Sequence, residues 1–273
     1  MSASAMGVCS WSLRPNNADE LMDALEAVGL KKVQLGLTPI VEEPAAWVGV
    51  FDRLKASGIE IVSGMYGPKG EDYSTLETIA ATGGLAVDEH WEDNRVMAEK
   101  VAAIAKAEGI EVMTFHAGFI PHDQNDPVFG KLCERINTVA DIFKAAGSVT
   151  LFETGQETAE DLNAFLDYLN REDVGINFDP ANMILYGKGD PIESLRKLIG
   201  RVKQVHVKDA NATKTVGTWG SEECVGTGEV DWDAFVGVLK EHGFGGEYVI
   251  EREAGESRVE DIKKAKTLIE SML

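Results

Sequence analysis

Five times along this chain a stretch of helical period runs into a glycine and then into a short apolar segment of strand character. Leu21, Leu25 and Val28 precede Gly29 and the segment 32–35, and Trp47, Val50 and Leu54 precede Gly58 and 59–62. Met97, Val101, Ile104 and Ala105 lead to Gly109 and 110–115, and Leu132, Ile136 and Val139 lead to Gly147 and a segment ending at Glu153. Trp232, Phe235, Val236 and Leu239 lead to Gly243 and the last strand. Spacings of three, four and seven put these apolar residues on one helical face, and glycine follows a helix because it enters the left-handed conformation without a Cβ clash. Helix and strand alternating in this way predict a parallel sheet with crossover helices.

An opening strand at 7–12 and a closing helix from about Ser257 complete eight strands alternating with eight helices. The expected fold is therefore α/β, a (β/α)8 TIM barrel, with residues 1–273 as one domain and no Pro/Ser-rich linker to divide them. An open doubly wound sheet is disfavoured because no GxGxxG follows the first strand. Asp190-Pro191 reads as an N-cap before a first-turn proline, while 158–161 and 257–260 read as capping boxes. Two connections, 66–91 and 209–230, leave strands three and seven and are too long for turns; with aromatics such as Trp219 they are expected to be lids.

Composition narrows the partners. The 46 acidic against 26 basic residues give a formal charge of −20, which repels a phosphate backbone and argues against nucleic acid. Cys9, Cys133 and Cys224 are odd in number and widely spaced, which suits a reducing compartment. The first seven residues lack the basic and apolar regions of a signal peptide, and no stretch reaches bilayer length, so the expectation is a soluble cytoplasmic protein without membrane contact.

Four of the strand segments end on a hard donor: Glu153, Asp179, His206 and Glu251. Successive strand side chains alternate faces, so Val149, Leu151 and Glu153 share one face, as do Val249 and Glu251. Taken singly, an acid just past a strand is an ordinary helix cap and a histidine an ordinary structural residue. If the strands lie parallel in one barrel, however, all four converge on one rim, and three carboxylates with one imidazole make a site for a divalent cation.

The motifs around these positions resemble a known family, the xylose isomerase-like barrels of the sugar phosphate isomerase/epimerase group, which include ketose 3-epimerases, hydroxypyruvate isomerase and inosose dehydratase. The resemblance spans nearly the whole chain: Gly7-Val-Cys-Ser-Trp-Ser12, Thr114-Phe-His-Ala-Gly118, Phe152-Glu-Thr-Gly155, Asn177-Phe-Asp-Pro-Ala-Asn182, His206-Val-Lys-Asp-Ala210, Gly226-Thr-Gly-Glu-Val-Asp231 and Ile250-Glu-Arg-Glu253. It implies that Glu153, Asp179, His206 and Glu251 bind one divalent ion (Mn, Mg, Co or Zn) and that Glu153 and Glu251 flank the substrate as acid and base. Two departures stand out: the sugar 3-epimerases carry a substrate-contacting His where this chain has Asn182, and an Arg where it has Ala212. His116 and Lys208 have inward parity, and with Asn182, Trp11 and Glu253 they are expected to bind substrate; His90, His122 and Trp91 are expected in pocket walls.

The implied function is a metal-dependent isomerase or epimerase of a sugar, keto-sugar or cyclitol, acting on a small-molecule carbohydrate through an enediolate. A lyase or dehydratase of a keto-sugar or inosose is the alternative, and a non-catalytic sugar-binding barrel a weaker one. The related barrels that cleave DNA need more histidines than the five here. Oligomeric state is left open, with a homo-oligomer allowed.

Overall fold

The computed structural model describes residues 6–215 and 217–273; residues 1–5, read above as lacking a secretion signal, and Val216 in the second long connection lie outside the described residues. The strands are β1 Met6–Cys9, β2 Lys32–Gly36, β3 Glu60–Met65, β4 Val112–Phe115, β5 Val149–Glu153, β6 Val174–Phe178, β7 Val202–Val207, β8 Asp209–Asn211, β9 Ser221–Glu223 and β10 Glu247–Ile250. Eight of them close into a parallel barrel in the order β1-β10-β7-β6-β5-β4-β3-β2. Closure is made by β10 against β1, with Met6 opposite Tyr248 and Val8 opposite Ile250. This is the (β/α)8 architecture expected from the alternation.

Among the described residues each barrel strand is followed by at least one helix, among them Ala18–Val28, Trp91–Glu108, Pro127–Ala146 and Arg258–Glu270, and these bury the apolar faces that the helical spacing picked out. Gly29, Gly58, Gly109, Gly147 and Gly243 all stand just past helices at φ between 63° and 93°. Asp190 caps as read, its Oδ1 accepting from the backbone N–H groups of Ile192 and Glu193 at 2.9 Å each. Thr158 accepts from the Asp161 N–H at 3.2 Å. Ser257 does not cap: its ψ of 40° departs from the extended backbone that aims a cap side chain at the first free N–H groups.

The first strand is shorter than the 7–12 expected. It stops at Cys9, and Ser10–Leu13 form a 3-10 turn that ends in a left-handed Arg14 at φ 52°, carrying Trp11 over the barrel mouth. The two long connections also contain regular structure. The first holds the helix Leu76–Thr82, whose N-terminus is a reciprocal Thr75/Thr78 capping box. In the second, β8 and β9 pair antiparallel, with Asp209 opposite Glu223 and Asn211 opposite Ser221. Asp209 is fully buried and ties this segment together: Oδ1 accepts from Ala210 and Val230 N–H, and Oδ2 accepts from Gly226 and Gly228 N–H and Trp232 Nε1, at 2.8–3.1 Å.

Gly84 seats the first connection on the loop after β4. Its φ is +70°, and a Cβ there would stand 2.1 Å from the Ala117 carbonyl oxygen, whereas a Cβ on Gly109 would meet nothing within 4 Å. Gly109→Ala should therefore cost only left-handed backbone strain, about 1 kcal/mol, and lower Tm by roughly 2–4 °C. Gly84→Ala adds a backbone collision and should cost clearly more in the same thermal melts. Equal losses for the two variants would contradict the seating of the loop.

Candidate active site

Each of the four strand-end donors is delivered by its own strand. Glu153 is the last residue of β5, His206 lies in β7, and Asp179 and Glu251 stand one residue beyond β6 and β10. One ligand atom from each lies within 4.8 Å of the others. His206 Nδ1 is 3.3 Å from Glu153 Oε1, 3.3 Å from Glu251 Oε2 and 3.7 Å from Asp179 Oδ2, with all four side chains buried. Asp179 divides its two oxygens between a helix cap and the cluster. Oδ1 caps the helix Pro180–Leu185 by accepting from Ala181 and Asn182 N–H at 2.8 and 3.0 Å, while Oδ2 turns into the cluster.

These donors fit a cation. Glu153 Oε2, Asp179 Oδ2 and His206 Nδ1 are buried without a hydrogen-bond partner, and buried polar atoms are rarely left so unless a ligand takes them up. The far side of the imidazole is fixed from below. Gln34 Oε1 accepts from His206 Nε2 at 2.8 Å and from Gln204 Nε2 at 2.9 Å, and Gln34 Nε2 donates to Thr114 Oγ1 at 2.7 Å. A proton held on Nε2 leaves the Nδ1 lone pair facing the carboxylates, the tautomer a metal ligand needs. Asn177 Nδ2 stands 2.9 Å and Cys9 Sγ 3.7 Å from the same Nε2, and burial keeps the Cys9 thiol neutral by pushing its pKa up.

Without a cation, the carboxylates draw a second proton toward Nδ1, which a bound ion would replace. Burial alone would lower the basicity of His206, yet Glu153 and Glu251 outweigh it and hold the imidazole well above its ordinary pKa. Burial would raise Glu251, but Lys208 and His206 keep it well below the usual carboxylate range. Burial prevails at Asp179 and pushes it up, against the pull of Lys208. Lys208 is buried too, and Glu251, Glu253 and Asp179 more than offset that burial, so it stays charged.

The expected substrate-binding residues gather around this cluster. Trp11 Nε1 donates to Glu251 Oε1 at 2.6 Å, and Lys208 Nζ donates to Glu251 Oε2 at 2.9 Å and Glu253 Oε2 at 2.7 Å. Asn182 Nδ2 donates to Glu153 Oε1 at 3.0 Å, and His116 Nε2 is 3.7 Å from Glu153 Oε2. These residues line a cavity of about 1110 Å³, with Asp179 and His206 beneath its floor. Tyr73 and Trp219, one from each long connection, also line it; their rings lie 6.3 Å from His116 and 4.8 Å from Tyr186. His90, His122 and Trp91 are not in the wall. His122 is instead drawn to Asp161 at 3.1 Å, and Trp91, the first residue of its helix, packs under the Arg135 guanidinium.

Sequence reasoning missed Gln34, Gln204, Tyr73 and Tyr186. Gln204 carries a usable signal, since it lies two residues before His206 and so shares its strand face, and Gln34 a weaker one as a polar residue between Val33 and Leu35; the aromatics carry none, since loop position fixes no direction.

Comparison with known proteins agrees with this architecture. The profile of the family described as xylose isomerase-like TIM barrel matches residues 22–272. A crystal structure of a xylose isomerase domain protein from Planctomyces limnophilus superposes with a TM-score of 0.86 at 29% identity, covering 100% of this chain and 98% of that one. A structure of L-ribulose 3-epimerase superposes at 0.73 over 99% and 94% of the two chains; at 14% identity this is a likeness of fold alone. The inosose dehydratase of Clostridium perfringens is 24% identical over 145 residues, 47% of this chain and 48% of that protein, so the chain spans about half the length of the curated relative it matches.

A cation in the cluster should stabilise the fold by mass action, about 2.7 kcal/mol at a hundredfold excess over Kd. In a thermal-shift assay Mn²⁺ should therefore raise Tm by roughly 5–10 °C, and His206→Ala should abolish the rise. Below the raised pKa of His206 the cation must displace a proton from Nδ1, so the shift should shrink as pH falls and recover as it rises. An equal shift in wild type and His206→Ala would contradict the ligand set.

Proposed function

This chain belongs to the xylose isomerase-like TIM barrel family, and from that premise we propose that it is a metal-dependent isomerase or epimerase of a keto-sugar or cyclitol. The observation that supports this reading most is the convergence of Glu153 Oε2, Asp179 Oδ2 and His206 Nδ1, buried and without hydrogen-bond partners, beside Glu251. Glu153, Asp179, His206 and Glu251 would hold one divalent ion, with Mn²⁺, Mg²⁺ or Co²⁺ suited to an oxygen-rich set and Zn²⁺ also accommodated. When bound, such an ion supplies stabilisation of negative charge on the carbonyl and hydroxyl oxygens of a substrate.

The remaining chemistry belongs to the chain. Glu153 and Glu251 reach the centre from β5 and β10, with β6 and β7 between them, so they approach a substrate from different sides. A carboxylate on each side of a carbon next to a ketone allows one to take its proton and the other to return one on the opposite face, which inverts that centre. The two are not equivalent. Trp11 and Lys208 hold one oxygen of Glu251 each, whereas Asn182 holds Oε1 of Glu153 and Oε2 is without a hydrogen bond. Glu153 is therefore the carboxylate free to move a proton, with His116 at 3.7 Å as its relay. Lys208 stays charged and neutralises a developing oxyanion without acting as a base. Tyr73 and Trp219 are placed to close over the ligand and exclude water.

The partial match to inosose dehydratase favours a second reading, in which the same carbanion expels a neighbouring hydroxyl and water leaves. Turnover of keto-sugars in D₂O, followed by NMR, separates the two. Epimerisation should place deuterium on the carbon next to the carbonyl, and Glu153→Gln should slow exchange about 10²-fold or more with its metal content retained. Deuterium uptake accompanied by water loss would select the dehydratase, and conversion without any deuterium would contradict proton transfer by solvent-exchanging glutamates.

A further inference from the structure

The cavity extends well beyond the metal-ligand cluster. At about 1110 Å³ it exceeds the roughly 300–1,000 Å³ of pockets that enclose drug-sized ligands, while a single sugar ring has only about a dozen non-hydrogen atoms. The surplus is an arm between the helices Thr38–Glu42 and Trp91–Glu108, lined by Thr38, Pro39, Asn94, Val96 and Met97.

One residue in this arm has a polar atom without a partner. Asn94 is 1% exposed; its Oδ1 accepts from Lys69 N–H at 2.7 Å and its backbone carbonyl accepts from Tyr66 Oη at 2.9 Å, so both the side-chain amide and the backbone are held. Its Nδ2 is buried without a partner. Thr38 Oγ1 accepts from Gly67 N–H at 3.0 Å and keeps its own hydrogen to give. The residues lining the arm thus carry two neutral donors, Asn94 Nδ2 beneath the surface and Thr38 Oγ1, beside the apolar surfaces of Pro39, Val96 and Met97. Glu42 and Lys100 also line this part of the cavity with opposite charges, and Lys69 is paired with Asp93 at 2.6 Å, so the arm carries no excess of positive charge to hold a phosphate.

We infer that the arm is a second sugar subsite, and that the preferred substrate is a keto-sugar carrying a neutral glycosyl group: the keto ring lies at the metal-ligand cluster and the glycosyl ring lies on Val96 and Met97, accepting from Asn94 Nδ2. This rests on the keto-sugar reading above and names its substrate class. The chemistry matches the lining, since a pyranose pairs an apolar C–H face with acceptor hydroxyls at its edge.

Calorimetry on the Mn²⁺-loaded protein tests it, with D-fructose, the keto-disaccharides turanose, lactulose and isomaltulose, and D-fructose 6-phosphate as probes. At least one disaccharide should bind about tenfold or more tighter than D-fructose, the worth of one to two hydrogen bonds. Asn94→Asp keeps an acceptor for Lys69 N–H but removes the donor, and Val96→Trp fills the arm; each should bring the ratio of disaccharide to fructose affinity close to one. Disaccharides that bind no tighter than D-fructose would overturn the subsite while leaving the keto-sugar reading standing. A phosphate ester tighter than every disaccharide would also overturn it, in favour of an anion. Binding of no sugar at all would overturn both readings together.

Discussion

Three carboxylates and an imidazole are enclosed at the C-terminal mouth of the barrel, each side chain no more than 4% exposed. Charges buried this closely are costly unless paired or coordinated, and the rest of the site is arranged around that cost. Among the described residues, Lys208 and the imidazoles of His206 and His116 are the compensation within reach, and Lys208 spreads its charge over Glu251, Glu253 and the more distant Asp179. A dication would supply the same compensation, taking the place of a proton at His206 Nδ1.

The barrel makes this tolerable by supporting the cluster from below and around. A polar layer of Gln34, Thr114 and Gln204 crosses the interior and fixes the imidazole ring, at the expense of the apolar filling a barrel core usually has. Above it, the second long connection is fastened at its base. Asp209 gathers five donors, and Glu222 on β9 accepts from Arg252 Nη1 and from the N–H groups of Glu253 and Ala254. Movement of that connection on ligand binding is therefore expected at its outer part, around Trp219, with the hairpin left in place.

How much of this could be read in advance follows from how each feature is encoded. The barrel was legible because helical period, C-terminal glycine and apolar strand recur together, so an error in one unit leaves the count intact. Glu153, Asp179, His206 and Glu251 were legible because strand parity aims a residue once its strand is known, and parallel strands bring equivalent ends together. Gln34 and Gln204 were harder to find, since their strands carry other polar residues as well and a neutral amide does not by itself mark a ligand or its support. Trp11 was expected near substrate, but its bond to Glu251 depends on the 3-10 turn that ends β1 three residues early. Asn94 was not legible: it looks like any polar residue in a first helical turn, and its free donor is defined by Lys69 and Tyr66, which approach from another connection.

The central claim is that these four side chains form one cation site, and anomalous diffraction from crystals grown with Mn²⁺ tests it most directly. The account predicts a single strong peak at the manganese edge within bonding distance of Glu153, Asp179, His206 and Glu251. A peak elsewhere, or none at this cluster with manganese present in excess, would contradict it.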